Sequence, residues 1–512
     1  MHSFFKLSAL AWACALCSAM AQTSPAEVII TGNPLGREQT SVPASALGRS
    51  DLIERGQSTL GETLSGLPGV SSTYFGPNAS RPIIRGLDGD RIRVLNNSAS
   101  SVDVSALSFD HAVPLDVLST ERIEVLRGPA ALQYGGSAVG GVVNVIDNRI
   151  PREALPGVSG KAQLQAGTGN DERSVAGLVE AGNERWAVHV DGFDRRTGDV
   201  RVPVSLACEK TGETRYARSI CNSASQSQGG ALGASTFWDD GYLGASVNTY
   251  QSDYGTVAED RVTIGMKTTR YALEGQVRHL PGMWDSVKAR VSHTDYRHTE
   301  FDGGNPGTVF ASQGQDLRVE ARHRALAGWQ GVLGAQVESG RFSAVGDEAF
   351  APFSRTRSQA LFVHEELPTA WGQVNAGARW ESVRVQSLGN PDLSRFEVGT
   401  RDFTPFSVAA GAAFKLSPTW RLTSNAAFTQ RAPKDYELFA NGPHLATHAW
   451  ELGNSGLGLE KAKSLDLGLD WKAGPQRMTV TAFASQFANY IGFMGTGEFR
   501  NKEGQTVLQS DV

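Results

Sequence analysis

The stretch from Ile123 to Ile146, IEVLRGPAALQYGGSAVGGVVNVI, decides the fold. Ile123 to Leu126 is a short apolar strand that runs into Arg127-Gly128-Pro129, where proline fixes φ, removes a donor and forces a turn. Ala130 to Tyr134 is long enough for one helical turn. Gly135, Gly136, Gly140 and Gly141 then bracket a tight bend in which backbone passes close to backbone. Val142 to Ile146 is a second strand, ending at Asp147-Asn148. On periodicity alone this is a buried β-turn-β unit of an α/β domain.

Residues 51–150 read as one compact unit around that stretch. Asp51 to Glu54 and Thr59 to Leu64 are short helical patterns, each opened by a capping-type residue. Leu67-Pro68-Gly69-Val70 ends the second helix and turns into a strand. Pro82 to Leu87 and Arg91 to Leu95 read as a strand pair joined at Asp88-Gly89-Asp90, and Asn96-Asn97-Ser98 supplies the next turn. In this order, LPGV at 67–70, IRGLDGDRIRVL at 84–95 and IEVLRGPAALQYG at 123–135 resemble the plug domain of TonB-dependent outer-membrane receptors. The resemblance implies a plug that sits inside the lumen of a large membrane β-barrel.

The rest of the chain agrees with that. After Pro156-Gly157 the pattern becomes alternation. Trp186, Val188 and Val190 share one face, with Ala187, His189 and Asp191 on the other. Leu422, Ser424, Ala426 and Phe428 alternate with Arg421, Thr423 and Asn425. Leu465, Leu467, Leu469 and Trp471 alternate with Ser464, Asp466, Gly468 and Asp470. Runs of ~10 residues with an apolar outer and a polar inner face are the pattern of a membrane barrel. Trp284, Trp371 and Trp420 fall near strand ends, as an interfacial girdle requires. The chain has 512 residues, 57 of them glycine, and no run near the ~18 apolar residues of a spanning helix. Its formal charge of −5 gives no basic excess for nucleic acid. A plugged transporter has 22 strands, whereas about fifteen alternating runs follow Lys161, and Gln505 to Val512 lacks a closing strand with a terminal aromatic. The expected fold class is therefore a membrane β-barrel of the 22-stranded type, truncated at the C-terminus, with an N-terminal α/β plug. The chain is expected to be a fragment or a truncated product.

The expected domains are a signal peptide at 1–21, an N-terminal segment at 22–50, the plug at 51–150 and the incomplete barrel at 158–512. Lys6, the apolar run Leu7 to Leu16 and Ala19-Met20-Ala21 form the secretory signal, with a mature start at Gln22. Cys14 and Cys17 fall inside it. That leaves Cys208 and Cys221, thirteen residues apart in an exported chain, which read as one disulfide closing a loop. Glu27-Val28-Ile29-Ile30-Thr31-Gly32 is a short β-prone segment of the kind captured by strand addition. By resemblance it is the TonB box, with TonB and its inner-membrane partners ExbB and ExbD as the energy-coupling machinery. The implied location is the outer membrane of a Gram-negative cell, in contact with its lipid.

No P-loop, GxSxG or HExxH is present, so the chain reads as a receptor with no catalytic residues and no catalytic cofactor. Candidate ligand-binding residues are histidines beside carboxylates, the donor set of zinc sites. Asp110-His111 lies in SALSFDHAVPLD (105–116), which resembles the plug loop of zinc-uptake receptors, where an adjacent Asp-His pair contributes to the metal site. On a strand, His298 and Glu300 share one face, and resemblance favours Glu300 as the ligand. His444 falls in GPHLAT after Tyr436-Glu437-Leu438, with His448 close by. The expected function is TonB-dependent import of a scarce metal, zinc, energised by the inner-membrane proton gradient. The alternative is haem or a siderophore: Gln430-Arg431-Ala432-Pro433, Glu437-Leu438 and Gly453-Asn454 resemble boxes that flank the haem-ligating histidine of haem receptors, with His444 between them. A non-transporting surface barrel, an adhesin or phage receptor, is the remaining class.

Overall fold

The computed structural model describes residues 44–512 apart from 128, 136–137, 211, 347–348, 445–446 and 503–504. The expected signal peptide and the expected TonB box, Glu27, Val28, Ile29, Ile30 and Thr31, lie outside the described residues.

The opening stretch forms the centre of a five-stranded sheet, in the order Ala44–Gly48, Arg122–Leu126, Gly141–Ile146, Ile92–Asn96, Ala99–Ser100. Gly141–Ile146 is buried along its whole length, as the near-continuous apolar run of a central strand requires. It pairs antiparallel with Arg122–Leu126 and parallel with Ile92–Asn96. Gly141 enters at φ 137°, where an added Cβ would stand 2.7 Å from the Leu126 carbonyl oxygen, so only glycine fits. Leu52, Leu60, Leu64, Ile84, Ile123 and Val143 are among the residues that close the core beneath the sheet.

Three local expectations differ from the structure. Pro82–Ile84 pairs with Val70–Ser72, not with Ile92–Asn96, and Gly89–Arg91 is a 3-10 turn that carries the chain away from its own hairpin. Thr59 precedes the helix Leu60–Leu64 without a side-chain cap, because its hydroxyl is taken by Ser80 Oγ at 2.6 Å. Asp51 stands three residues into the helix Arg49–Arg55, where it accepts from Gly48 N at 2.8 Å.

From Gly157 onward the chain builds a sixteen-stranded antiparallel sheet running from Gly157–Gly167 to Gln476–Asn489. Its polarity is inverted. Leu465 and Leu467 on the outer face are 47 % and 46 % exposed, while Arg195, His298, Arg379 and Asp466 on the inner face are buried. A soluble sandwich would bury the opposite set; an apolar outer wall around a polar lumen belongs in lipid. Trp186, Trp238, Trp284, Trp329, Trp371, Trp420 and Trp471 all stand at the rim where short turns join the strands, a girdle at one interface. Met494–Lys502 and Gln505–Asp511, placed in the barrel by sequence, instead join the hairpin Asn441–His444/Ala449–Leu452 in a separate four-stranded sheet.

The plug occupies the lumen and is held there by ions. Arg85 pairs with Asp466, Arg93 with Glu338, Arg149 with Asp191 and Arg195 with Asp116. Arg91 reaches Glu460 at 2.5 Å, and Glu460 also meets Arg431. Apolar contacts add to this polar seam: Ala79, Val104 and Ala112 of the plug pack in one cluster with Tyr254, Met266 and Phe310 of the wall, and Leu118 packs with Ala176 and Phe193.

Candidate functional site

The candidate site lies at the end of the barrel opposite the tryptophan rim, where plug and wall meet. The plug contributes the loop with Ser108, Asp110 and His111. The wall contributes the strand Trp284–Asp302, whose even-numbered side chains Tyr296, His298 and Glu300 point inward. Its pairing with Asn305–Leu326 shifts between Thr299 and Phe301. The extra residue is on the facing strand, where Gly307 and Thr308 oppose Glu300 alone, and Pro306 beyond them lacks an N–H for the ladder.

His111 and His298 are buried, and their nitrogens and a Glu300 oxygen all lie within 4.8 Å of one another. His111 Nε2 is 3.1 Å from Glu300 Oε1, His298 Nε2 is 3.8 Å from the same oxygen, and Asp110 Oδ1 is 4.0 Å from His111 Nε2. Ligand atoms around a tetrahedral zinc stand about 3.3 Å apart, given bonds of ~2.0–2.1 Å, so these separations are close to those of a coordination shell.

The hydrogen bonds set which nitrogen faces inward. His111 Nδ1 is 3.1 Å from the Val104 carbonyl. A carbonyl and a carboxylate only accept, so Nδ1–H donates to Val104 and Nε2–H donates to Glu300, and it is loss of the Nε2 proton that turns that lone pair into the cluster. His298 Nδ1 lies 2.8 Å from the Tyr296 hydroxyl, which can accept from it in the same way. His298 Nε2 and Glu300 Oε2 have no hydrogen-bond partner. Three acceptors thus converge on one point, an arrangement that repels unless a cation or proton stands between them. The His111 pKa shows this: burial pulls it down, but the Asp110 charge and the bond to Glu300 more than reverse that, and the net shift is upward. Phe310 stacks on His298 at 4.7 Å and closes the floor.

His444 lines the same cavity but stands one step back. Its Nδ1 meets Glu451 at 2.7 Å and its Nε2 meets Ser108 Oγ at 2.8 Å. Ser108 in turn donates to Asp110, and Phe350 stacks flat on the imidazole at 4.2 Å. His444 therefore orients Asp110 through Ser108. His448 is exposed and does not line the cavity. The cavity is about 40 Å³; its lining includes Asp110, Glu259, Glu300 and Asp302 and, among the described residues, no lysine or arginine. Cys208 and Cys221 are bonded to each other, with Cα atoms 5.4 Å apart.

Sequence reasoning missed Tyr254, Glu451 and Glu259. The Tyr254 hydroxyl donates to the Asp110 carbonyl and accepts from Ala112 N, both at 2.9 Å, so it pins the Asp-His loop. None of the three carries a local signal, in contrast to Tyr296, which lies two residues from His298 on the same strand face.

Comparison with known proteins bears on this architecture. Residues 211–510 match the family described as TonB dependent receptor-like, beta-barrel, and residues 37–142 match the TonB-dependent receptor plug domain. The rhizobactin receptor of Rhizobium meliloti (strain 1021) is 31 % identical over 195 residues, covering 35 % of this chain and 24 % of that receptor. The match thus spans about a quarter of that curated relative. Among solved structures, the copper transporter OprC superposes with a TM-score of 0.75 at 16 % identity, over 92 % of this chain and 74 % of its own. The Serratia marcescens hemophore receptor HasR, in complex with its hemophore HasA and heme, gives 0.72 at 14 % identity, over 92 % and 77 %. The ferric enterobactin receptor PfeA of Pseudomonas aeruginosa gives 0.69 at 16 %, over 92 % and 75 %. At such identities these structures speak for the fold alone.

Proposed function

Since the chain belongs to the TonB-dependent receptors, by the match over 211–510, we propose that it is an outer-membrane import receptor that captures a scarce metal at its long-loop end. Outer-membrane barrels turn tightly on the periplasmic side and carry longer loops outside, so the cluster faces the exterior. The observation that carries the metal reading is the convergence of His111 Nε2, His298 Nε2 and Glu300 in a cavity lined by carboxylates and by no lysine or arginine.

Two imidazoles and carboxylates suit zinc, and among the described residues no thiolate or thioether lines the cavity to select cuprous copper. Asp110 and His111 belong to the plug, His298 and Glu300 to the wall. Movement of the plug separates the two halves of the ligand set and lets the ion leave inward. The pull comes from TonB gripping residues 27–32, drawing on the inner-membrane proton gradient through ExbB and ExbD, since the outer membrane holds no comparable energy source.

A second reading is a metal chelate, a siderophore or haem. Three of the relatives favour it, being described as rhizobactin, enterobactin and hemophore receptors; the fourth is described as a copper transporter, and none gives zinc support. A cavity of about 40 Å³ holds an ion with a water or so, whereas a porphyrin or siderophore would have to sit above it among the loops. The two readings separate in one experiment on the purified full-length receptor: zinc affinity by chelator competition, with haem and ferric siderophore as rival ligands. Tight zinc binding that is lost in Asp110→Ala/His111→Ala supports the ion. Zinc affinity unchanged in that variant, with tight binding of haem or siderophore, moves the assignment to the chelate. Deleting residues 27–32 should stop uptake and spare surface binding; uptake that survives the deletion removes the TonB step.

A further inference from the structure

Three ligand atoms, from His111, His298 and Glu300, meet within 4.8 Å of one another, and the nearest Asp110 oxygen is engaged by Ser108, while zinc takes about four ligands. The outward side of the same cavity is lined by the turn at 256–261, which carries Glu259. Asp302, the other outward carboxylate, is engaged by Arg261 at 3.4 Å. The Glu259 carboxylate has no hydrogen-bond or ion-pair partner among the described residues.

The turn that presents Glu259 is not regular structure, yet it is gripped at two points. The buried Asn222 side chain donates from Nδ2 to the carbonyls of Thr256, Glu259 and Val262 at 3.0, 3.0 and 2.5 Å. On the other side, the Asp260 carboxylate accepts from Glu209 N at 2.6 Å. Asn222 follows Cys221, and Glu209 follows Cys208. The disulfide therefore ties together the two residues that hold the turn. Gly255 at its base fits under the clamp only because it lacks a side chain: a Cβ there would lie 2.1 Å from the Asn222 carbonyl oxygen.

We propose that Glu259 is a further ligand of the metal site, closing it from outside, and that Asn222 is a positioning residue through which the Cys208–Cys221 disulfide sets the affinity. The inference rests on the metal reading above. The disulfide is about local geometry here: it fixes the height of one carboxylate over a site on the other side of the turn. Outer-shell partners of this kind change metal affinity by about 10–100-fold.

The test is equilibrium binding of zinc alone to the full-length receptor. Glu259→Gln should weaken binding by about tenfold, and so should Asn222→Ala and Cys208→Ser/Cys221→Ser. In the Glu259→Gln background the Asn222 and cysteine variants should have no further effect, since neighbours acting through one group are not additive. An equal drop in both backgrounds would mean general loosening and overturns the positioning role. Zinc binding that is lost in His111→Ala but unchanged in Glu259→Gln overturns the inference and leaves the metal reading standing. Zinc binding that is indifferent to His111→Ala overturns the metal reading, and this inference with it.

Discussion

Replacing Glu460 with alanine probes how the plug is seated. Glu460 is 1 % exposed. It accepts from Arg91 Nε at 3.0 Å and Nη2 at 2.5 Å, from Arg431 at 3.3 Å and from Ile491 N at 2.8 Å. In the variant, Arg431 stays compensated by Glu437, at 2.9 Å to each oxygen. Arg91, on the plug, keeps only the Ile491 carbonyl and the face of Tyr490, 3.6 Å from its guanidinium carbon. Removing one partner of a buried pair costs about 3–5 kcal/mol. The retained carbonyl and ring place this case at the low end, about 3 kcal/mol. At 1.36 kcal/mol per decade that is about 150-fold in the opening equilibrium of the plug. The assay is amide hydrogen exchange in detergent. Amides of Ile92–Asn96 should exchange about 150-fold faster while those of Trp284–Asp302 hold their rate. Unchanged plug exchange, or equal acceleration in the wall, would refute the view that this carboxylate seats the plug.

Further outcomes are expected at the site and the seam. His298→Ala should lower zinc affinity by at least the ~100-fold upper range of outer-shell effects, whereas His448→Ala should leave it alone; chelator competition reads both. Because the Asp110 charge and the Glu300 bond hold the His111 pKa above that of free imidazole, an arriving ion must displace a proton. Zinc affinity should fall about tenfold per unit as pH drops below that raised pKa, and Asp110→Asn should move the onset to lower pH in a pH titration of binding. Gly233→Ala should unseat the trailing end of the plug, since its methyl would stand 1.6 Å from the Arg149 carbonyl oxygen. Overpacking of this kind costs about 1–3 kcal/mol or more, and it should appear as protease sensitivity of residues 147–156 in an otherwise folded barrel.

The central strand pair of the plug was legible because its glycines and apolar run leave few other conformations. The barrel was legible because a period of two repeats over many strands, even where each strand alone is weak. The pairing of Pro82–Ile84 was not. Asp88-Gly89-Asp90 is a good hairpin turn locally, and only the rest of the sheet shows that Ile92–Asn96 pairs with Gly141–Ile146 instead. At the site, Asp110, His111 and Glu300 could be named from sequence, and the structure brings them together. The order of the histidines could not be read. His298 enters the cluster through strand register, which puts it on the inner face with Glu300, and His444 is drawn back by Glu451 and Ser108. Glu259 and Asn222 had no sequence signal, since a turn and a side-chain clamp leave no periodic trace.

Because the donors come from two separate bodies, an ion bound between them is also a rivet. On the metal reading, each gain in grip on a dilute ion adds to the mechanical work needed to part those bodies: a nanomolar Kd corresponds to about 12 kcal/mol. Sensitivity to scarce supply and speed of delivery therefore pull against each other in this receptor. A barrel emptied of its stopper would keep His298 and Glu300 but lose Asp110 and His111, and with them half of its hold on the cargo.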